Sequence, residues 1–258
     1  MKSILQLSEE EFFQWLETQF ERREFLYRRR FEREKVREVL YEILFYEQRL
    51  SVEEIEQFFI PFGQAGYLSA RQKFEIMLFI LEKEYGKSFM FLEGRDKFDI
   101  VTSEDVEEAY YAWALEGMMY LSEEEKKEFF VRSLVDKLGL GIIEVLKRIS
   151  PDGILLGAFC PEENRKEELE ERVAVYFGGI VVHMPFLKID SREEMLRIIK
   201  YALAMEKKGE LTMMEPMLDF VRDDGTCITA IRPPAGKDWG IRIMYGAAGK
   251  ERITGWNE

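Results

Sequence analysis

Residues 219–244 read DFVRDDGTCITAIRPPAGKDWGIRIM, an order of β-formers, turn residues and prolines that restricts this stretch to three antiparallel strands. Asp224-Gly225 stands between two β-favouring runs, the composition of a two-residue type I′ hairpin, whose central residues both need positive φ. A loop of that length sets the pairing. Thr226 falls opposite Asp223 and Cys227 opposite Arg222, which puts Arg222 and Cys227 on one face of the sheet. Pro233-Pro234 removes backbone donors and ends the second strand. A third strand, from Asp238 to Met244, carries Arg242 inside an otherwise largely apolar run.

The pattern that leads up to this segment begins near Ser150. Pro151-Asp152-Gly153 is a turn, Ile154 to Phe159 a short strand, and Pro161 to Arg172 a charged connection. Val173 to Phe177 and Ile180 to Phe186 form a hairpin around Gly178-Gly179. Asp190 or Ser191 caps a helix that reaches about Lys207; Glu194 completes its capping box and Gly209 stops it. The order is β-β-β-α-β-β-β.

Before Ser150 the signals are helical. Ser8, Ser51 and Ser122 are each followed three positions later by Glu, and Ser69 by Gln, which is the capping-box signature of a helix start. The first helix runs from about Glu9 to near Arg49 without Gly or Pro to interrupt it. Shorter helices are expected at about Val52 to Phe59, Ala70 to Tyr85, Glu104 to Met119, Glu123 to Leu138 and Ile142 to Arg148, with Gly86 and Gly139 as stops. Phe89 to Ile100 allows a short strand on either side of Gly94. The fold class is α+β: a mainly helical region over 1–138, then a small antiparallel-sheet domain over 139–258 with one packed helix.

Composition narrows what such a chain can do. With 47% hydrophobic and 34% charged residues it is a globular sequence, and no apolar stretch nears the roughly 20 residues that span a bilayer. The N-terminus, MKSILQLSEEEFF, turns acidic before a signal-peptide core forms, so a cytoplasmic location is expected. Cys160 and Cys227 lack metal-type spacing and read as reduced thiols. A net charge of −13 opposes nucleic acid and anionic membranes, since phosphate binding is largely cationic neutralisation. From Glu21 to Arg37, however, eight basic residues stand among four acidic ones. That run is either a solvated, self-paired helix face or a docking surface for an acidic partner or lipid headgroups.

An acidic residue, a DG-S/T hairpin, a strand ending in Pro-Pro and a strand reading G-I-R together resemble the end of the N-terminal domain of the type II/IV secretion ATPases, most of all the CpaF-type branch that drives assembly of Flp-like pili. The resemblance extends upstream through GLGII (Gly139 to Ile143), PDGILLG (Pro151 to Gly157), VAVYFGGIVVHMPF (Val173 to Phe186) and the helix after Ser191, and covers roughly the last 120 residues. It implies a domain lying over nucleotide bound by a P-loop motor domain, with arginines reaching the phosphates. Of the family's two such arginines, the one in its DGSR pattern falls on Cys227 and is lost, while the one in S-I-R is matched by Arg242. Arg232 lies five positions from Cys227 along a strand, which reverses its face. Arg222, cross-strand from Cys227 on the same face, is either the residue that restores the charge or a solvated strand arginine.

No motor motif accompanies these arginines. Gly246-Ala-Ala-Gly249-Lys250-Glu251 departs from GxxxxGK[ST]: only two residues separate its glycines, and Glu251 stands where the metal-binding hydroxyl belongs. His183 is the only histidine, so neither a Ser-His-Asp triad nor a multi-histidine metal site can be built, and it reads as a structural strand residue. Glu107, Glu108 and Glu123 to Glu125 read as helix-start carboxylates. The stripes Phe12, Phe13, Trp15, Phe20 and Tyr110, Tyr111, Trp113 have the spacing of helix packing.

The expectation is therefore a chain with no catalytic or metal-binding residue: an assembly or regulatory module acting by protein-protein contact. Its expected partners are a secretion or pilus-assembly motor, inner-membrane components and a ring of subunits. Arg242, Arg222 and Arg232 are its candidate nucleotide contacts; ATP and Mg would be held only together with a motor domain, and no cofactor by the chain alone. One alternative is the N-terminal portion of an active ATPase whose P-loop lies beyond residue 258. Another is a helical nucleic-acid-binding protein using Arg28 to Arg30, which the overall acidity opposes.

Overall fold

The computed structural model describes residues 4–23, 33–60, 65–86, 102–150, 152–159, 172–177, 180–189 and 191–246. Outside them lie the stretch around Gly94, the Gly178-Gly179 turn, Pro151, Cys160, Asp190, most of the basic run and residues 247–251. In chain order the helices are α1 (Glu9–Arg22), α2 (Arg33–Tyr41), α3 (Val52–Phe58), α4 (Ala70–Tyr85), α5 (Ser103–Ala109), α6 (Leu115–Tyr120), α7 (Glu123–Leu138) and α8 (Ile142–Leu146), then α9 (Arg192–Met205). The strands are β1 (Gly153–Gly157), β2 (Val173–Phe177) and β3 (Ile180–His183) before α9, and β4 (Met217–Val221), β5 (Cys227–Ile231) and β6 (Gly240–Met244) after it. The α+β class and the β-β-β-α-β-β-β order are as the sequence requires.

Helices start where the capping signals stand. Ser8, Ser51, Ser69 and Ser122 each accept a backbone N–H three residues on, and the side chain at that third position returns to the serine's own N–H. Thr102 and Asp105 make the same box ahead of α5, which starts within a residue of the expected Glu104; the box itself was not named from the sequence because Asp stands in place of Glu. The helix expected to run unbroken from Glu104 to Met119 is instead α5, a π turn at Tyr110–Ala114, and α6. The helix expected over Glu9 to Arg49 is described as α1, then α2 with a π turn at Glu42–Glu47; residues 24–32 between them lie outside the described ones.

Contacts divide the chain into two compact units, Met1–Leu68 with Leu115–Gly139, and Ser69–Ala114 with Leu140–Glu258. Among its described residues the first contains helices and no strand. Leu16, Leu40, Ile43, Leu44 and Ile55 are wholly buried in it. The rings of Phe12, Phe59 and Phe130 pack in line at 5.0 and 5.3 Å. Lys126 joins α7 to Glu56 of α3 at 2.7 Å, and Arg33 pairs with the buried Asp136. Phe12 and Phe20 thus serve helix packing, the role their spacing suggested.

The second unit holds a six-stranded, wholly antiparallel sheet in the order β3-β2-β1-β6-β5-β4. Burial follows that order. The inner strands β1 (GILLG) and β5 (CITAI) are buried at every position, while edge strand β4 alternates between exposed and half-buried residues. Helix α9 packs on the face that carries Phe220 and Arg222: beyond its C-terminal end, Glu206 pairs with Arg222 at 3.2 Å and Lys208 lies 5.0 Å from the Phe220 ring. On the N-terminal side, Arg71 of α4 reaches Glu194 at 3.6 Å and the Lys188 carbonyl at 3.3 Å, and Phe74 meets Phe186 at 5.1 Å.

Two local expectations for α9 change. Ser191 accepts the Glu194 N–H at 3.1 Å, but the Glu194 carboxylate turns to Arg71 and Arg197, because a guanidinium is a stronger partner than a neutral backbone N–H. The helix also ends before Gly209: Glu206 caps it and Lys207 takes the left-handed conformation with φ 54°.

Candidate functional site

The β4–β5 hairpin decides where the arginines go, and its loop has three residues instead of two. Gly225 N–H donates to the Arg222 carbonyl at 2.9 Å and Arg222 N–H to the Thr226 carbonyl at 2.8 Å. Gly225 has φ 83°, while Asp224 keeps a negative φ, so the loop is a type I turn closed by a glycine bulge. Asp224 favours this form because its Oδ1 accepts the Thr226 N–H at 2.9 Å, a bond that also holds the carboxyl below its ordinary pKa. The register therefore shifts by one residue. Cys227 stands opposite Val221, not Arg222, and Arg222 projects from the other face of the sheet. The expected compensation of Cys227 by Arg222 is overturned.

The pairings define a row of residues, one from each strand, on the face away from α9. His183 is beside Ala174, Ala174 beside Leu155, Leu155 beside Arg242, Arg242 beside Thr229, and Thr229 beside Asp219. The polar half of this row is hydrogen-bonded. An Arg242 guanidinium N–H donates to Thr229 Oγ1 at 3.1 Å, and the Thr229 hydroxyl donates to Asp219 Oδ1 at 2.7 Å. The Arg242 guanidinium also lies 5.3 Å from the centre of the Phe159 ring. Thr229 is buried and Asp219 exposed, so the half-buried Arg242 stands between apolar strands and a carboxylate edge.

The other two arginines do not join it. Arg222, at the turn end of the hairpin, has Glu206 at 3.2 Å and Asp224 at 3.8 Å, two carboxylates that oppose a phosphate. Arg232 follows β5 at the opposite end, about 16 Å along a five-residue strand. It donates to the Leu211 carbonyl and to Met213 sulfur, stacks 4.8 Å from the Trp239 ring, and leaves its buried Nε without a partner. That set of contacts fastens the loop before β4 to the corner after β5. Arg242 alone of the three stands in the middle of the sheet.

Sequence reasoning found Arg242 but missed Thr229, Asp219 and Phe159. Alternation within β4 and β5 identified which residues share a face, but the adjacency of β6 to both β1 and β5 had no local signal. His183 lies in a strand as expected, at the far end of the same row. Cys227, where the family resemblance places an arginine, is buried, with its thiol 3.7 Å from the Gly225 carbonyl.

Elsewhere, buried polar groups serve packing. Lys73 pairs with Glu107 and lies 5.8 and 5.5 Å from the ring centres of Tyr110 and Tyr111. Burial raises the Tyr110 phenol to about 12. Among the described residues, no cluster of three or more His, Cys, Asp or Glu side chains is placed to hold a metal ion, and no helix is long and apolar enough to cross a membrane. Comparison with protein-family models and with curated proteins finds no match to this chain.

Proposed function

We propose that the chain is an assembly or regulatory module of the type II/IV secretion or pilus-assembly ATPases, acting by protein-protein contact and covering nucleotide held by a separate P-loop motor domain. One observation carries the reading: the arginine matched by the G-I-R motif, Arg242, stands in an inner strand of a β-β-β-α-β-β-β sheet, on the face away from its helix. Thr229 and Phe159 hold its guanidinium at a fixed height over that face, which suits a cation presented to a phosphate on another domain. Arg222 and Arg232 are engaged with carboxylates or with the loop they fasten, and contribute nothing to that cleft. The 258 residues contain no GxxxxGK[ST] segment, so the phosphates and magnesium are the motor's to hold.

Calorimetry of the chain with and without a P-loop secretion motor domain from the same genome tests this. Alone, the chain shows no affinity for ATP and Mg²⁺ in the micromolar range, about −8 kcal/mol. In the presence of the motor, Arg242→Ala lowers nucleotide affinity about tenfold, the loss of about 1.4 kcal/mol from one charge-assisted contact, and Arg222→Ala leaves it unchanged. Equal affinities for the wild type and Arg242→Ala in that mixture would remove the nucleotide-covering role.

A further inference from the structure

Strand β4 ends the sheet and is paired on one side only, with β5. Arg222 N–H goes to the Thr226 carbonyl and Arg232 N–H to the Pro216 carbonyl, so the even-numbered residues of β4 bond to β5. The N–H and C=O groups of Met217, Asp219 and Val221 therefore point away from the sheet, and among the described residues nothing pairs with them. Side chains along this edge are accessible: Met217 and Val221 are 51% exposed, and Met214, in the loop that leads into the strand, is 91% exposed. Such an edge is a template for a further strand, and natural edges are commonly guarded by Lys, Pro or a bulge. Between Met217 and Val221 none of these occurs; the one charge is Asp219.

The three outward residues share one face of the sheet, the face away from α9, in the order apolar, acid, apolar. Asp219 Oδ1 accepts the Thr229 hydroxyl at 2.7 Å, and among the described residues no cation pairs with its carboxylate. Nearby bases are turned elsewhere: Lys208 lies over the Phe220 ring and Arg222 pairs with Glu206, both on the α9 face. Arg242, in the same row as Asp219, stands two strands further in, about 10 Å away, and donates to Thr229. Residues 206–224 contain six acidic and three basic residues, so the surroundings of this edge are acidic. A second β4 laid against the first in full overlap would set Asp219 against Asp219, which repels, whereas a strand with a cation at that position is attracted.

We propose that the β4 edge binds an extended segment of another protein whose residues run apolar, variable, basic, variable, apolar. The Arg or Lys of that segment lies directly opposite Asp219, its two apolar side chains lie opposite Met217 and Val221, and its backbone bonds to the outward N–H and C=O groups of β4. Methionine is unbranched and polarisable, so Met217 accepts apolar side chains of different shapes. This role is separate from the covering of nucleotide by Arg242.

Fluorescence anisotropy of a fluorescein-labelled peptide, TVTRTVT-amide, titrated with the full chain to about 1 mM tests it. No motor and no nucleotide are present, so the outcome is independent of the one that tests Arg242. The peptide pattern reads the same in both directions, and saturable binding is expected. N-methylation of its Val and Arg nitrogens, which face β4, lowers affinity about tenfold, whereas N-methylation of the Thr on either side of Arg, which faces away, leaves affinity unchanged. Asp219→Lys lowers affinity for this peptide about tenfold and raises affinity for TVTETVT-amide. Absence of saturable binding overturns the proposal, as does binding indifferent to N-methylation of Val and Arg, or an Asp219→Lys chain that binds both peptides as the wild type does. So does a wild type that self-associates in sedimentation velocity over the same range and thereby excludes the peptide, since a second copy then covers the edge. Where circular dichroism shows Asp219→Lys unfolded, the wild-type chain decides between the two peptides: the arginine peptide binds about tenfold more tightly than the glutamate one, and equal affinities are decisive against the contact.

Discussion

Asp224 shows how one side chain sets a register. Its carboxylate accepts the Thr226 N–H, and this bond lowers its pKa in the folded chain. A depressed folded pKa means that the ionised carboxylate contributes stability above the unfolded value and that this contribution is lost as pH falls through the folded value. Asp224→Asn keeps the Oδ1 acceptor but removes the charge. Urea unfolding of wild type and Asp224→Asn should therefore differ most at neutral pH, with the gap closing below the ordinary aspartate value of about 4. A gap that does not vary with pH would show that the ionised form has no special part in the turn. Arg242 was visible in the sequence as a charge in an apolar strand. Its partners Thr229, Asp219 and Phe159 were not, since each lies on a different segment that only the sheet brings alongside.

At the level of elements, local chemistry was the dependable guide. A capping box is complete within four residues, so Ser8, Ser51, Ser69 and Ser122 announced their helices without help from the rest of the chain. The π turns after α2 and α5 had no such announcement, and neither did the approach of β1 to the chain before β6. Gly157 marks that approach. It closes β1 with φ 62°, and a Cβ there would stand 2.3 Å from the Trp239 carbonyl oxygen and 3.0 Å from the Met195 methyl. Backbone cannot yield as a side-chain tip can, so Gly157→Ala combines left-handed strain with a clash. It should destabilise the chain by about 2–4 kcal/mol in chemical denaturation. A loss below about 1 kcal/mol would mean that the strand end relaxes freely.

Over the whole molecule, the two units each have their own core, and the chain passes between them more than once, since Ser69–Ala114 shares a unit with the sheet while Leu115–Gly139 belongs with the first helices. Separate cores argue against a single all-or-none transition. Trp15 lies in the helical unit and Trp239 in the sheet unit. Versions of the chain that keep only one of these tryptophans, the others replaced by Phe, should report different urea midpoints. The Trp239 midpoint should be the higher, because the larger unit buries a greater fraction of its surface. Coincident curves would show that the chain unfolds as one cooperative body.

What the sequence determined by itself was everything decided within a few residues: helix starts, the existence and order of the strands, the α+β class and the exposed acidic character of the chain. Turn type was the near miss. Asp-Gly serves both a type I′ turn and a type I turn with a bulge, and the choice between them flips every side chain of the strand that follows. Only the tertiary structure decided that β1 lies beside β6, that Arg222 and Cys227 face opposite ways, and that a single row runs from His183 to Asp219. Those are pairings between segments far apart in the chain. Their energy comes from surface buried between strands, which no short window of sequence contains.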